Sequence, residues 1–395
     1  MANRVVTLDE GLATVLKTVL PLSTEIVPLS EMLHRVLAVN VLSGCDMPPF
    51  DKSAMDGFAI KQEEIGLLLK ISGEATAGAG FLESVKCGEA VRIMTGAPVP
   101  EGANMVVMKE VAIEKDGSVS FHGAPKNSNI CYKGEDVKTG NLVLEKGSCL
   151  TSRHIAVLAS AGYSEAEVYR QPRVAIFATG NELVEPGKRL KKDTIYNSNA
   201  HQLVAECQTI GLQPNYLGIL ADTFEGVLEP LKEAIKNYDA IILSGGVSVG
   251  EYDFIPLVLK ELKFNIKFDT MATKPGKHTV FATNGSCYIL GLPGNPVSTL
   301  TQFEMVGKVL LGALQGISIL QNRLFKAPLN KSFSRRGADR LEFLPAIINS
   351  NGEVELLNYH GSAHISALTN ATHLAQIALG TTTINKGDLV DVRPL

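Results

Sequence analysis

From Arg173 onward the chain keeps one rhythm: a short apolar run closing on a turn residue, then a longer amphipathic stretch. "RVAIFATG", "NYLGILAD", "DAIILSGG" and "CYILGLPG" are the apolar runs. "SNAHQLVAECQTIG", "FEGVLEPLKEAIKN", "DFIPLVLKELK" and "NPVSTLTQFEMVGKVLLGAL" lie between and after them. A strand that is apolar throughout must be covered on both faces, and intervening helices supply the cover. This alternation predicts a doubly wound, mostly parallel α/β sheet over residues 171–321. Leu203, Cys207 and Ile210 share one face of the first helix, with Ser198 as candidate N-cap. Pro230 must sit near the first turn of the second helix or kink it.

The remainder of the 395 residues reads differently. Leu8, Leu12, Val15, Leu16 and Val19 mark one face of a helix over residues 7–20. "LSEMLHRVLA" reads as a second helix capped by Ser30, and "TSRHIAVLASAG" as a third that stops at Gly162. Residues 1–43 and 140–170 are therefore expected to form a helical linking domain. Between them, residues 44–139 are rich in glycine and short apolar runs such as "LLLKISG", "EAVRIMTG" and "NMVVMKEVAIE". That predicts a β-rich domain inserted into the helical one. Residues 322–395 alternate short strands and turns, "GEVELL" and "NKGD" before "LVDVRPL" among them, and predict a small β-barrel.

Composition narrows the function. A formal net charge of -4 argues against nucleic-acid binding, which needs a strongly basic face. The six cysteines are scattered without a CxxC pair, which suits a reducing cytoplasm and not a structural zinc site. His360 and His364 flank Gly361 and Ser362, a poor helix for paired metal ligands. Asp9 and Glu10 interrupt the N-terminus early, so no signal peptide is expected. No apolar run reaches the roughly 18 residues of a membrane span.

In open α/β sheets, ligands bind beyond the carboxyl ends of the strands. There the chain offers Asn181 and Glu182, then Asp222, then Gly245, Gly246, Ser248 and Asp253, and finally Pro293, Asn295, Pro296 and Ser298. The loop "SGGVSVG" lets backbone approach a phosphate without Cβ obstruction, and "GNP" opens a helix whose N–H groups suit an anion. Either alone is explained equally well as a turn; together on one rim they point to a ligand. Neither matches a P-loop or a dinucleotide fingerprint. Asp222 and Asp253 suit a hard cation such as Mg²⁺, although each also reads as a cap or surface acid. Lys274 and Lys277 in "TKPGKHT" complement an anion, whereas Lys188, Arg189, Lys191 and Lys192 read as a solvated loop. In the inserted domain, Asp51 and Asp56 punctuate "MPPFDKSAMDGFAI", and Thr95 and Asp136 stand beside turns.

Taken together, "PPFDKSAMDGFAI", "RIMTGAPVPEGAN", "KGEDV", "ATGNELV", "NSNAHQL", "LSGGVSVGEYDF" and "GLPGNPVS" resemble the molybdopterin molybdenumtransferase family, which includes a domain of gephyrin. "RLEFLPA" and "GSAHISAL" look like weaker versions of its barrel motifs. The resemblance implies the four domains above and a homodimer. It implies insertion of molybdenum from molybdate into adenylylated molybdopterin, with AMP released and Mg²⁺ used. By the same resemblance Asp56, Asp136, Asp222 and Asp253 are the catalytic acids, and Glu182, Asp222 and Asp253 the Mg²⁺ ligands. Thr95, Glu182, Ser198, Gly245, Gly246, Ser248, Pro293, Asn295 and Pro296 bind the pterin substrate. Lys274, Lys277, Ser298, Arg340 and Ser366 bind molybdate. The site is expected between the α/β domain of one subunit and the β domain of the other, and molybdopterin adenylyltransferase is the expected upstream partner. Where the family often carries arginine, this chain has Cys131 and Pro345, with Lys133 as a substitute for the first. Two alternatives are an adenylyltransferase on the same α/β fold, which predicts a stand-alone domain and a loop closer to "GGTG", and a gephyrin-like scaffold, which needs an additional partner region.

Overall fold

Thr7 starts helix α1 (Leu8–Thr18) with a reciprocal cap. Its hydroxyl accepts the Glu10 N–H at 3.2 Å, and the Glu10 carboxylate accepts the Thr7 N–H at 2.9 Å. The apolar face of α1, with Leu8, Val15 and Val19, packs into the core of the α/β domain. The computed structural model describes residues 5–123, 125–247, 253–317 and 324–395.

The linking region is a small antiparallel sheet, ordered Thr24–Pro28, Glu165–Tyr169, Val36–Leu37, with one helix, α2 (Ser152–Ser160). Gly162 follows α2 in the left-handed conformation, as expected of its C-terminal stop. The helix expected from "LSEMLHRVLA" does not form. Only Leu29–Glu31 makes a 3₁₀ turn, and His34 takes φ 64°. Backbone partners come from elsewhere: the His34 N–H donates to Leu150 O and the Leu37 N–H to Ser148 O. Met32, Leu37 and Val41 are buried against Leu150, Leu158 and Val168. Tertiary pairing outweighs a modest helical propensity.

Six strands form the inserted sheet, in the order Ala112–Lys115, Ser118–Phe121, Leu69–Ala75, Glu89–Ile93, Gly57–Ile60, Met105–Met108. Its faces bury separate clusters, one around Val91 and Ile93 and the other around Phe58 and Leu69.

The α/β domain contains β1 (Val174–Thr179), α3 (Asn199–Thr209), β2 (Asn215–Leu220), α4 (Phe224–Asn237), β3 (Ala240–Ser244) and α5 (Ile255–Glu261). It continues with β4 (Asn265–Phe268), β5 (Val280–Thr283), β6 (Tyr288–Leu292), α6 (Pro296–Gln302) and α7 (Lys308–Leu314). A π turn at Phe303–Gly307 joins α6 to α7. The sheet order is β2-β1-β3-β6-β5-β4, with β2, β1, β3 and β6 mutually parallel and β5 antiparallel to both its neighbours. One core cluster lies on each face, as all-apolar strands require. Pro230 is inside α4, beyond its first turn.

In the C-terminal domain the strands Val354–Leu356, Leu341–Ile348, His373–Ile377, Leu389–Pro394 and Phe325–Pro328 pair in that order. A bridge between Leu329 and Val354 closes the ring, with the Asn330 N–H donating to Val354 O at 2.9 Å. Leu341–Ile348 also extends out of the barrel and pairs in parallel with Thr273–Lys274 of the α/β domain.

Candidate active site

Strand order in the α/β domain reverses between β1 and β3, and the crevice this leaves at their carboxyl ends is a cavity of about 710 Å³. Glu182, Ser198, Asp222, Gly245, Gly246, Asp253, Pro293, Asn295 and Pro296 all line it, so four separated loops do converge on one rim. Asp222 joins the ends of β1 and β2: its carboxylate accepts the Asn181 N–H at 2.9 Å, and Asn181 Oδ1 accepts the Asp222 N–H at 3.2 Å. Gly245 has φ +92°, and a Cβ there would stand 2.7 Å from Thr179 O, so only glycine fits between β1 and β3. Ser248 lies outside the described residues.

Asn199 and His278 are among the cavity residues that were not anticipated. Asn199, in the "NSNAHQL" string, donates from Nδ2 to Ser244 Oγ at 2.9 Å and to Gly294 O at 2.6 Å, tying α3 to two rim loops. His278 lines the cavity, and burial together with the Lys277 charge holds its imidazole below the usual range, against the opposing pull of Asp253. Its signal was its place between Lys277 and a buried strand in "TKPGKHT".

Three expectations need correction. Ser198 does not cap α3 with its side chain: its backbone is already helical at φ −90°, ψ −34°, and Asn197 Oδ1 accepts the Ala200 N–H instead. The start of α6 is not open to an anion at Val297, whose N–H donates to Ser362 O at 3.1 Å while Asn295 Nδ2 donates to Ser362 Oγ at 2.8 Å. A barrel loop has taken that position. Ser298 is only 3% exposed and does not line the cavity.

The other proposed anion ligands do not line the cavity. Lys274 is held 2.7 Å from the Glu342 carboxylate, and Lys277 is exposed. Arg340 acts on His278 electrostatically, and Ser366 is exposed in the 3₁₀ turn Ile365–Leu368, a few residues after the cavity-lining Ala363.

Asp56 is fully engaged inside the inserted domain. One oxygen accepts the Thr95 N–H at 2.8 Å and the Thr95 hydroxyl at 2.7 Å, and the other pairs with Lys109 at 3.1 Å. The Thr95 bonds, then Lys109, hold its pKa at about 2. Asp136 is exposed. No described residue of 44–139 is among those lining the cavity.

A protein 35% identical over 401 residues, covering 98% of both chains, is the molybdopterin molybdenumtransferase of Haemophilus influenzae. This chain belongs to the molybdopterin molybdenumtransferase family. The relative of that name from Staphylococcus epidermidis is 32% identical and covers 98% of this chain and 95% of its own. Three family descriptions match in sequence: the MoeA N-terminal region (domain I and II) over residues 6–162, a probable molybdopterin binding domain over 175–312, and the MoeA C-terminal region (domain IV) over 326–395. The crystal structure of the molybdopterin biosynthesis moeA protein from Pyrococcus horikoshii superposes with a TM-score of 0.83 at 28% identity, covering 99% of this chain and 100% of that one.

In this molybdenumtransferase family member the two positions without arginine are both built into sheets. Cys131 pairs with Lys52 at a strand edge, and Pro345 is buried opposite Leu374 in the barrel. Lys133, the suggested substitute, lies 3.6 Å from Asp46.

Proposed function

We propose that this chain inserts molybdenum from molybdate into adenylylated molybdopterin and releases AMP, forming the molybdenum cofactor. The observation that carries the reading is the cavity at the switch point, where Glu182, Asp222 and Asp253 meet a glycine loop in a chain similar from end to end to enzymes of that name. The adenylyltransferase alternative is not favoured, because the relatives that match both β domains as well as the α/β domain are molybdenumtransferases.

The residues divide the work by chemistry. The backbone at Gly245 and Gly246 approaches the phosphate groups, and Asn199 fixes the loops on either side. Lys274 and Lys277 face molybdate, a tetrahedral dianion, and Arg340 and Ser366 add to them from the barrel. His278, kept neutral by burial, holds an imidazole nitrogen ready to accept a proton from the water that attacks the phosphoanhydride. Among the described residues no group of three or more His, Cys, Asp or Glu is placed to hold a metal ion. Mg²⁺ takes one or two carboxylates and completes its shell with water and substrate phosphates, so one or two of Glu182, Asp222 and Asp253 would hold an ion that arrives with substrate. An ion held there would supply charge neutralisation at the phosphoryl oxygens.

Asp56 and Asp136 complete the cavity of a second subunit in a homodimer. Support for this comes from the cavity wall, which takes none of the described residues of 44–139 of its own chain. The substrate comes from molybdopterin adenylyltransferase, and the work is done in the cytoplasm without nucleic acid or membrane. Among the described residues no helix is long and apolar enough to cross a membrane.

The test is incubation with adenylylated molybdopterin, molybdate and Mg²⁺. AMP release that requires Mg²⁺ and reconstitutes an apo-molybdoenzyme is expected. Nucleotide bound without cleavage sinks the reading.

A further inference from the structure

We infer that Glu342, a barrel residue, is a positioning residue for oxyanion binding that acts through Lys274. The inference rests on the reading of Lys274 as a molybdate ligand. Glu342 and Lys274 are register partners where the barrel strand runs out along the α/β domain. The Glu342 side chain is 4% exposed and that of Lys274 47%. A carboxylate this deep is costly unless it is paired. One oxygen takes the Lys274 ammonium at 2.7 Å and the other takes Arg335 Nη1 at 3.0 Å.

The two cations are not equivalent. The Arg335 side chain is buried and three of its remaining donors go to backbone carbonyls: Nε to Thr381 at 2.7 Å, Nη1 also to Arg340 at 3.0 Å, and Nη2 to Ala378 at 2.6 Å. With four of its five N–H donors engaged and its side chain 5% exposed, it serves to fix Glu342. Lys274 keeps two ammonium donors beyond the one on Glu342, and its head is half-exposed. Glu342 thus holds a long, rotamer-rich side chain in place before the anion arrives, so the ordering cost is met in advance. Charge adds to this: Lys274 and Arg335 against Glu342 leave the cluster one positive charge, enough to attract an oxyanion without collapsing onto it.

The experiment is molybdate titration of the full-length protein by calorimetry, with steady-state AMP release measured in parallel. Glu342→Gln is expected to weaken molybdate binding roughly tenfold and to raise KM for molybdate more than it lowers kcat. In a Lys274→Met background the same substitution is expected to have little further effect. Glu342→Asp, which keeps the charge and withdraws it by one methylene, covers the case in which Glu342→Gln does not fold; it is expected to weaken binding to a smaller degree. Equal molybdate affinity in wild type and the folded Glu342 variant overturns the inference, as does an undiminished loss in the Lys274→Met background. Molybdate bound by wild type without AMP release sinks the functional reading and leaves this one standing. Failure of wild type to bind molybdate overturns both.

Discussion

The two ends of the central sheet treat carboxylates in opposite ways. At the amino ends of the strands Asp239 is 6% exposed and saturated. Arg170 grips it with two bonds of 2.7 and 2.9 Å, and the Arg173 N–H adds a third at 2.8 Å. At the carboxyl ends Asp222 spends one oxygen on Asn181, and it shares a cavity with Glu182 and Asp253. The first arrangement holds strands together, whereas the second keeps acceptor capacity facing open space where a cation or substrate fits. Asp56 complicates the contrast. Its bonds make it look like Asp239, yet its reading is catalytic. A carboxylate held this way is ionised and immobile, which suits a group presented to a neighbouring subunit.

The sharpest break of this comparison is Asp222→Asn, expected to lower AMP release by about 10³ with the thermal midpoint within a few degrees of wild type. Full turnover in that variant removes Asp222 from the site. Asp239→Asn should do the reverse. It leaves two arginines around an uncharged group and is expected to cost about 3 kcal/mol in denaturant unfolding, with turnover retained in what stays folded. The sign with pH follows from a folded pKa of about 2 against an ordinary 3.8. Burial alone would raise that pKa, and the Arg170 and Arg173 bonds more than reverse it. The stabilisation is present above pH 3.8 and is lost as pH falls towards 2, so the variant's unfolding free energy should lack that slope.

Asp56→Asn is expected to lower turnover by about 10², and it decides where Asp56 acts. Mixed with Asp222→Asn subunits, it should regain activity if the chain forms the proposed homodimer, because one of the two cavities then has both acids. No recovery after subunit exchange places Asp56 with its own chain or out of the reaction. The smallest effect is expected at Gly276, in the loop that carries Lys274 and Lys277. Its φ is +103°, and a Cβ would stand 2.3 Å from Nε2 of the fully buried Gln302. Gly276→Ala should destabilise by about 2 kcal/mol, read from the shift in denaturation midpoint. Its molybdate KM should rise if this loop serves the oxyanion.

Much of the α/β domain was legible because strands such as Val174–Thr179 and Ala240–Ser244 are apolar up to their last residue and buried at every position. Such a run has one stable home, the middle of a sheet covered on both sides. The rim followed from that topology, which brought Glu182, Asp222, Asp253 and Asn295 together as expected. The linking region was not legible in the same way. "LSEMLHRVLA" has apolar residues that also suit a helix, and only the partners at Ser148, Leu150 and Val168–Tyr169 decide against one. Asn199 and His278 were missed because an asparagine at a helix start and a histidine before a strand have commoner structural explanations.

By itself the sequence determined the α/β alternation, the positions of the rim loops and the family, since these depend on local periodicity and on strings read in order. Only the tertiary structure decided which of the expected site groups remain available. The Val297 N–H is taken by Ser362, Lys274 is paired with Glu342, and Asp56 is locked by Thr95 and Lys109. Each of these partners is dozens of residues away along the chain. A donor or acceptor is satisfied by whatever folding brings within about 3 Å, and spacing along the chain does not record that distance.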